Sequence, residues 1–275
     1  MISFANISII ARKDLKEALQ NRWFLLYTLI FGGLALALSM LSQPELELGS
    51  LAGYNRTIAS LVNLVLLFVP LIGLTFGAMS LAAERETGAM NYLLAQPVSP
   101  SEILLGKYLG IAAALLGSLT LGFGVAGIAI ALGGGGDELG YVTTVIFAGV
   151  LGLAMLSMGF LISAMTRKMS TALGGALFLW LLLVFVGDLG LIGAAVVTQM
   201  PLNTTLLLAM LNPLQLFKMA SIFSTQASLD VLGPAGLYAT DTFGGAFIPL
   251  LAAILTLWVL IPLGVALVIF VQQSA

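Results

Sequence analysis

Cysteine and histidine are both missing from this 275-residue chain. That excludes disulfides, thiolate or imidazole metal sites, and Ser-His or Cys-His catalysis. Charge is nearly as scarce, at 8% of residues against about a quarter in an ordinary globular chain. Ten Lys and Arg without an exposed stripe give nucleic acid nothing to grip. No Ser-Lys, His-Glu or paired-Asp set lies at membrane depth, which argues against an intramembrane enzyme. Gly133 to Gly136 resembles a phosphate cradle, but Asp137 and Glu138 follow instead of Lys-Ser/Thr, so it is not a P-loop. What remains in quantity is apolar surface, 60% of the residues. The chain reads as an all-α integral membrane protein.

About 20 helical residues cross a hydrocarbon core of about 30 Å, and six apolar runs meet that length. They cover roughly Trp23–Leu41, Ile58–Ala82, Ile103–Leu132, Tyr141–Met165, Thr171–Gly187 and Phe247–Val271. A polar link (Glu45, Glu47, Tyr54, Asn55, Arg56) is expected between the first two. Gly73/Gly77 and Gly106/Gly110 are small-xxx-small pairs that permit close helix approach. Residues 1–22 hold an amphipathic helix, with Ile7, Ala11, Leu15, Ala18 and Leu19 as its apolar stripe. It suits a membrane surface or contact with a partner. No cleavable leader is expected in Met1 to Arg22, which lacks a short apolar core and a small-residue cleavage site. From 188 to 245 the apolar pieces are short and broken by Pro201, Asn212-Pro213, Gly233-Pro234 and Gly244-Gly245. They read as external or re-entrant helices, with one extra pair of crossings as the alternative.

With six spans and the N-terminus inside, the cytoplasmic side holds Arg12, Lys13, Lys16, Arg22, Arg85, Lys107, Arg167 and Lys168. Only Arg56 and Lys218 fall on the other. This positive-inside bias places both termini in the cytoplasm.

The stretch 83–102, between spans two and three, is the long polar interruption on that side. Glu84, Arg85, Glu86, Thr87 and Gly88 open it. A short helical piece follows, with Met90, Leu93 and Leu94 on one face. Gln96-Pro97 stops it. Ser99 then caps the next helix, with Pro100 at the first helical position and Glu102 completing a capping box. A helix with an apolar face and charged shoulders suits a partner's grip; the plainer reading is a solvated connector.

Elsewhere the candidates are thin. Asp188 marks either the end of span five or a costly buried acid of functional interest. Met155, Met158, Met165 and Met169 lie at helical spacing and read as packing, with a soft Cu(I) site as the alternative. The glycosylation-like patterns at Asn55 and Asn203 are taken as chance. A secondary transporter or channel is a rival reading, but its usual intramembrane ionisable groups and matched repeats are wanting.

The ordered set Glu84, Arg85, Glu86, Gly88, Leu93, Leu94, Pro97, Ser99, Glu102, Gly106 and Lys107 resembles the coupling loop of ABC-2 type permeases. These are the membrane subunits of one class of ATP-binding-cassette exporters. Asn212-Pro213 before a short helix also fits that family, and the architecture extends over the whole chain. The resemblance implies a homodimer in the bacterial inner membrane, joined by two copies of a separate ATPase that binds ATP and Mg²⁺. It implies that the short loop helix seats in the ATPase. Glu84, Arg85 and Glu86 would pair with ATPase side chains, while Met90, Leu93 and Leu94 fill its groove. Length and the absence of a fused nucleotide-binding domain are similar to the permeases serving copper-sulfide site maturation of nitrous oxide reductase, in denitrification. There the external segment would meet a periplasmic copper-handling protein. With no His or Cys, this chain has little to carry copper itself. A permease for a drug, lipid or polysaccharide is the alternative.

Overall fold

A computed structural model describes residues 3–41, 50–132, 138–187, 201–224 and 242–274, and these are helical with no strand among them. In chain order the helices are α1 (Phe4–Gln20), α2 (Arg22–Leu41), α3 (Ser50–Thr87), α4 (Ala89–Leu94), α5 (Pro100–Leu132), α6 (Glu138–Met165), α7 (Met169–Phe185), α8 (Leu202–Met210), α9 (Pro213–Ser224) and α10 (Phe247–Ser274). Five of them, α2, α3, α5, α6 and α10, are long and apolar enough to cross a membrane. The apolar α7, at 17 residues, is about 26 Å long and stands at the short end of the crossing range.

Two expectations about element ends are corrected. The helix of span two begins at Ser50, so the last part of the expected polar link (Tyr54, Asn55, Arg56) is helical. Glu84 to Thr87 likewise form its last turn instead of opening a loop. Nothing in the backbone requires a helix to stop where the hydrocarbon does; its own hydrogen bonds carry it into the polar layer. The break comes at Gly88, whose φ of 78° is the left-handed conformation that ends helices and that glycine adopts without strain.

Close backbone approach organises the bundle. A Cβ built on Gly77 would lie 2.6 Å from the Leu156 carbonyl oxygen and 2.9 Å from the Gly159 Cα. Gly73 is as tight against Gly152 and Met155. The first small-residue pair is therefore the seam between α3 and α6. One turn further on, the Ser163 hydroxyl oxygen accepts the backbone N–H groups of Leu81 and Ala82 at 3.0 and 2.9 Å. The second pair seats α1: Gly106 and Gly110 face Ile10 and Ala11 at 2.7 and 2.5 Å from their would-be Cβ atoms. The N-terminal helix is thus docked along α5, with Ile7, Asp14 and Ala18 buried. Leu19, expected in its apolar stripe, is exposed.

Between α7 and α10, the described pieces are the short helices α8 and α9, bent at 111° to each other. At about 14 and 18 Å, neither of these two described helices is long enough to span a bilayer by itself. The Asn212 side chain fixes the bend. Its Nδ2 donates to the Leu183 carbonyl at the end of α7 (2.7 Å), and its Oδ1 accepts the Leu214 N–H (2.9 Å), capping α9. Phe223 meets Phe247 at the start of α10, 4.9 Å between ring centroids. Asp188 lies outside the described residues.

Candidate partner-docking end of the bundle

Four segments meet at one end: α1, the α3–α4–α5 stretch, the turn Thr166–Lys168 and the last turn of α10. The stretch is locally determined. Ser99 and Glu102 form the expected capping box, with the Ser99 N–H on Glu102 Oε2 (3.0 Å) and the Glu102 N–H on Ser99 Oγ (3.3 Å). Glu102 also accepts from the Ser3 N–H and from Asn6 Nδ2, so the cap of α5 holds the start of α1 as well.

The charged shoulders are engaged inside the chain. Lys107 Nζ bridges Asp14 Oδ2 at 2.9 Å and Glu84 Oε1 at 2.8 Å, with both Lys107 and Asp14 only 4% exposed. Lys13 stands 4.0 Å from each of the two acids. One ammonium thus joins α1, α3 and α5. Arg85 Nη1 donates to the carbonyls of Ala164 (2.9 Å) and Thr166 (3.0 Å), the bare C-terminal end of α6, and its guanidinium lies 5.4 Å above the Phe270 ring of α10. Glu86 Oε2 accepts the Met169 N–H at 2.7 Å, at the start of α7. These contacts tie Glu84, Arg85 and Glu86 into the bundle itself, which the sequence reading did not foresee.

The apolar face of α4 turns toward the bundle. Met90 is buried and Leu93 and Leu94 pack with it against Leu81, Ile103, Phe160 and Phe270. The amphipathic spacing marked a face that the bundle covers at Met90 and half-covers at Leu93 and Leu94. What α4 turns outward is Asn91 and Tyr92, the latter 73% exposed, followed by Ala95, Gln96 and Pro97.

Seven of the ten cations, Arg12, Lys13, Lys16, Arg85, Lys107, Arg167 and Lys168, lie on the segments that meet here, and Arg22 opens α2 directly after α1. Lys218, on α9, belongs with the elements around Phe223 and Phe247, at the start of α10 and not its end.

The family model of the ABC-2 family transporter proteins matches residues 8–275. The chain belongs to this ABC-2 family. A probable ABC transporter permease protein NosY of Stutzerimonas stutzeri is 33% identical over 267 residues, covering 94% of each chain. One of the same name in Pseudomonas aeruginosa is 31% identical over 232 residues, covering 80% of this chain and 82% of that protein. This ABC-2 permease is a multi-pass protein of the bacterial inner membrane.

The remaining candidates in this permease do not converge. Met155 and Met158 are buried in the main core, whereas Met165 is exposed at the end of α6. Ten residues separate Met155 from Met165, about 15 Å along the helix, so these thioethers do not share one ion. Sequence reasoning missed Asp14 as a buried ionic partner. The available signal was Lys107, a cation four residues into an apolar run from Ile103, which must find an anion or water. It also missed Tyr92 and Arg167 as outward-facing groups at this end of the bundle.

Proposed function

We propose that this chain is the membrane subunit through which a separate ATPase, binding ATP and Mg²⁺, drives export or a conformational signal to a periplasmic partner. The observation that carries this reading is α4. It is a six-residue helix pinned by its own apolar face to the ends of α3, α5, α6 and α10, and it presents Tyr92 to solvent. An ATPase pressing on the Asn91–Tyr92 face would move α3 and α5 together, because the Lys107 bridge and the Glu102 cap tie both to α1. The Gly73/Gly77 seam would pass that motion to α6 without slack, since backbone there touches backbone. Concentration of cations at this end supports a cytoplasmic orientation, with both termini inside. The sequence covering from 188 to 245 would then face the periplasm.

The likeness to the two NosY permeases supports a role in nitrous oxide reductase maturation, in a homodimer with two ATPase copies and an external copper-handling protein. One experiment tests these assignments: purification of the tagged chain from native membranes, with mass spectrometry of whatever accompanies it. Wild type should bring down an ATPase and a periplasmic copper-handling protein. Tyr92→Glu should lose the ATPase at least tenfold and keep the periplasmic protein, since it changes an exposed side chain at the far end. ATPase recovery unchanged by Tyr92→Glu would remove α4 as the dock. A periplasmic companion with no part in copper handling would remove the maturation role.

A further inference from the structure

We infer that the pocket between α4, the α6–α7 turn and the end of α10 receives an acidic side chain of the docking ATPase. The inference rests on the docking reading above and supplies its chemistry. The pocket has a volume of ≈ 210 Å³; Arg85, Arg167, Asn91 and Gln273 provide its polar wall, and Met90, Leu94 and Phe270 its floor. Two guanidinium groups therefore share one cavity, and no carboxylate lines it among the described residues.

Neither arginine has a carboxylate partner among the described residues. Arg85 is held by helix-end carbonyls and by the Phe270 ring, contacts that fix its direction without cancelling its charge. Arg167 is exposed and makes no hydrogen bond or ion pair with any described residue. The nearby acids are engaged elsewhere, Glu84 on Lys107 and Glu86 on the Met169 N–H. Two like charges held in one pocket repel each other, and an arriving carboxylate relieves that repulsion while gaining charge-assisted hydrogen bonds. The Asn91 and Gln273 amides add uncharged donors beside them.

The composition favours a protein carboxylate. Asn91 belongs to α4 itself, and the next residue is the exposed Tyr92. Tyrosine and arginine around a pocket are what recurs at the energetic centres of protein interfaces. An acidic residue on the ATPase, entering as Tyr92 makes contact, would set the register of the dock.

The test uses the full chain in nanodiscs, with ATPase affinity measured at low and high salt for wild type, Arg167→Glu, Arg167→Lys and Tyr92→Glu. Arg167→Glu should weaken binding at least tenfold at low salt and less at high salt, because the contact is partly exposed and screened. Arg167→Lys should retain most of the affinity. A thermal midpoint equal to wild type for Arg167→Glu separates lost contact from lost fold. If Arg167→Glu binds like wild type while Tyr92→Glu is released, the pocket inference falls and the docking reading stands. If neither variant changes affinity, both fall. If Arg167→Glu keeps the ATPase but loses co-purifying anionic phospholipid, the pocket serves a headgroup and the inference is wrong.

Discussion

Replacing Lys107 with methionine is expected to lower the stability of the permease by about 3–5 kcal/mol, the usual cost of removing one member of a buried ion cluster. The magnitude follows from what remains. Asp14 and Glu84 would face each other with only the half-exposed Lys13 ammonium, 4.0 Å from each, to offset them, and Asp14 is almost wholly buried. One oxygen of each carboxylate, Asp14 Oδ1 and Glu84 Oε2, already lacks a hydrogen bond among the described residues. Both acids line a cavity of ≈ 220 Å³ between α1, α3 and α5. Equilibrium unfolding in mixed micelles reads the effect, and protease access to α1 shows where it begins. The triple variant Asp14→Leu, Glu84→Met, Lys107→Met should recover much of the loss, because it removes the uncompensated charge along with the bridge. A Lys107→Met protein that unfolds like wild type would mean that the bridge does not hold the three helices together.

The second large effect is at the α3–α6 seam. Gly77→Val should destabilise the fold by about 1–3 kcal/mol or more, because the added carbons meet the Leu156 carbonyl and the Gly159 Cα. Backbone atoms cannot step aside as a flexible side chain can, so the helices must separate and the buried contacts of Leu74, Ala78 and Leu156 loosen with them. Gly117→Ala is the matched control: nothing lies within 4 Å of a Cβ at that position, and alanine is the better helix former. Unfolding midpoints of the two variants side by side should differ in sign. Equal midpoints for Gly77→Val and wild type would show that the seam is softer than its distances indicate.

How far these features were legible in the sequence depends on how local they are. The capping box was readable because Ser99 and Glu102 are three residues apart and need only each other. The stop at Pro97 and the bend at Asn212-Pro213 were readable for the same reason. The glycine pairs announced close approach, but their partners, α6 for Gly73/Gly77 and α1 for Gly106/Gly110, depend on tertiary packing. The ionic bridge was harder still, since Asp14 and Lys107 are 93 positions apart and each alone passes for a solvated charge. The loop shows the limit most clearly. The spacing of Met90, Leu93 and Leu94 correctly marked a face that leaves water, but periodicity does not say what covers it. The chain's own helix ends were nearest, which leaves the polar face turned outward.

The central claim is that the Asn91–Tyr92 face of α4 is a cytoplasmic surface on which an ATPase seats. A chain with no cysteine is already suited to the measurement, because Tyr92→Cys places a single thiol on that face. Labelling with a membrane-impermeant maleimide would be followed in intact spheroplasts and in inverted vesicles, the latter with and without added ATPase. The thiol should be silent in spheroplasts, react in bare inverted vesicles, and be protected when the ATPase is bound. Labelling in intact spheroplasts, or equal labelling with and without the ATPase, would contradict the claim.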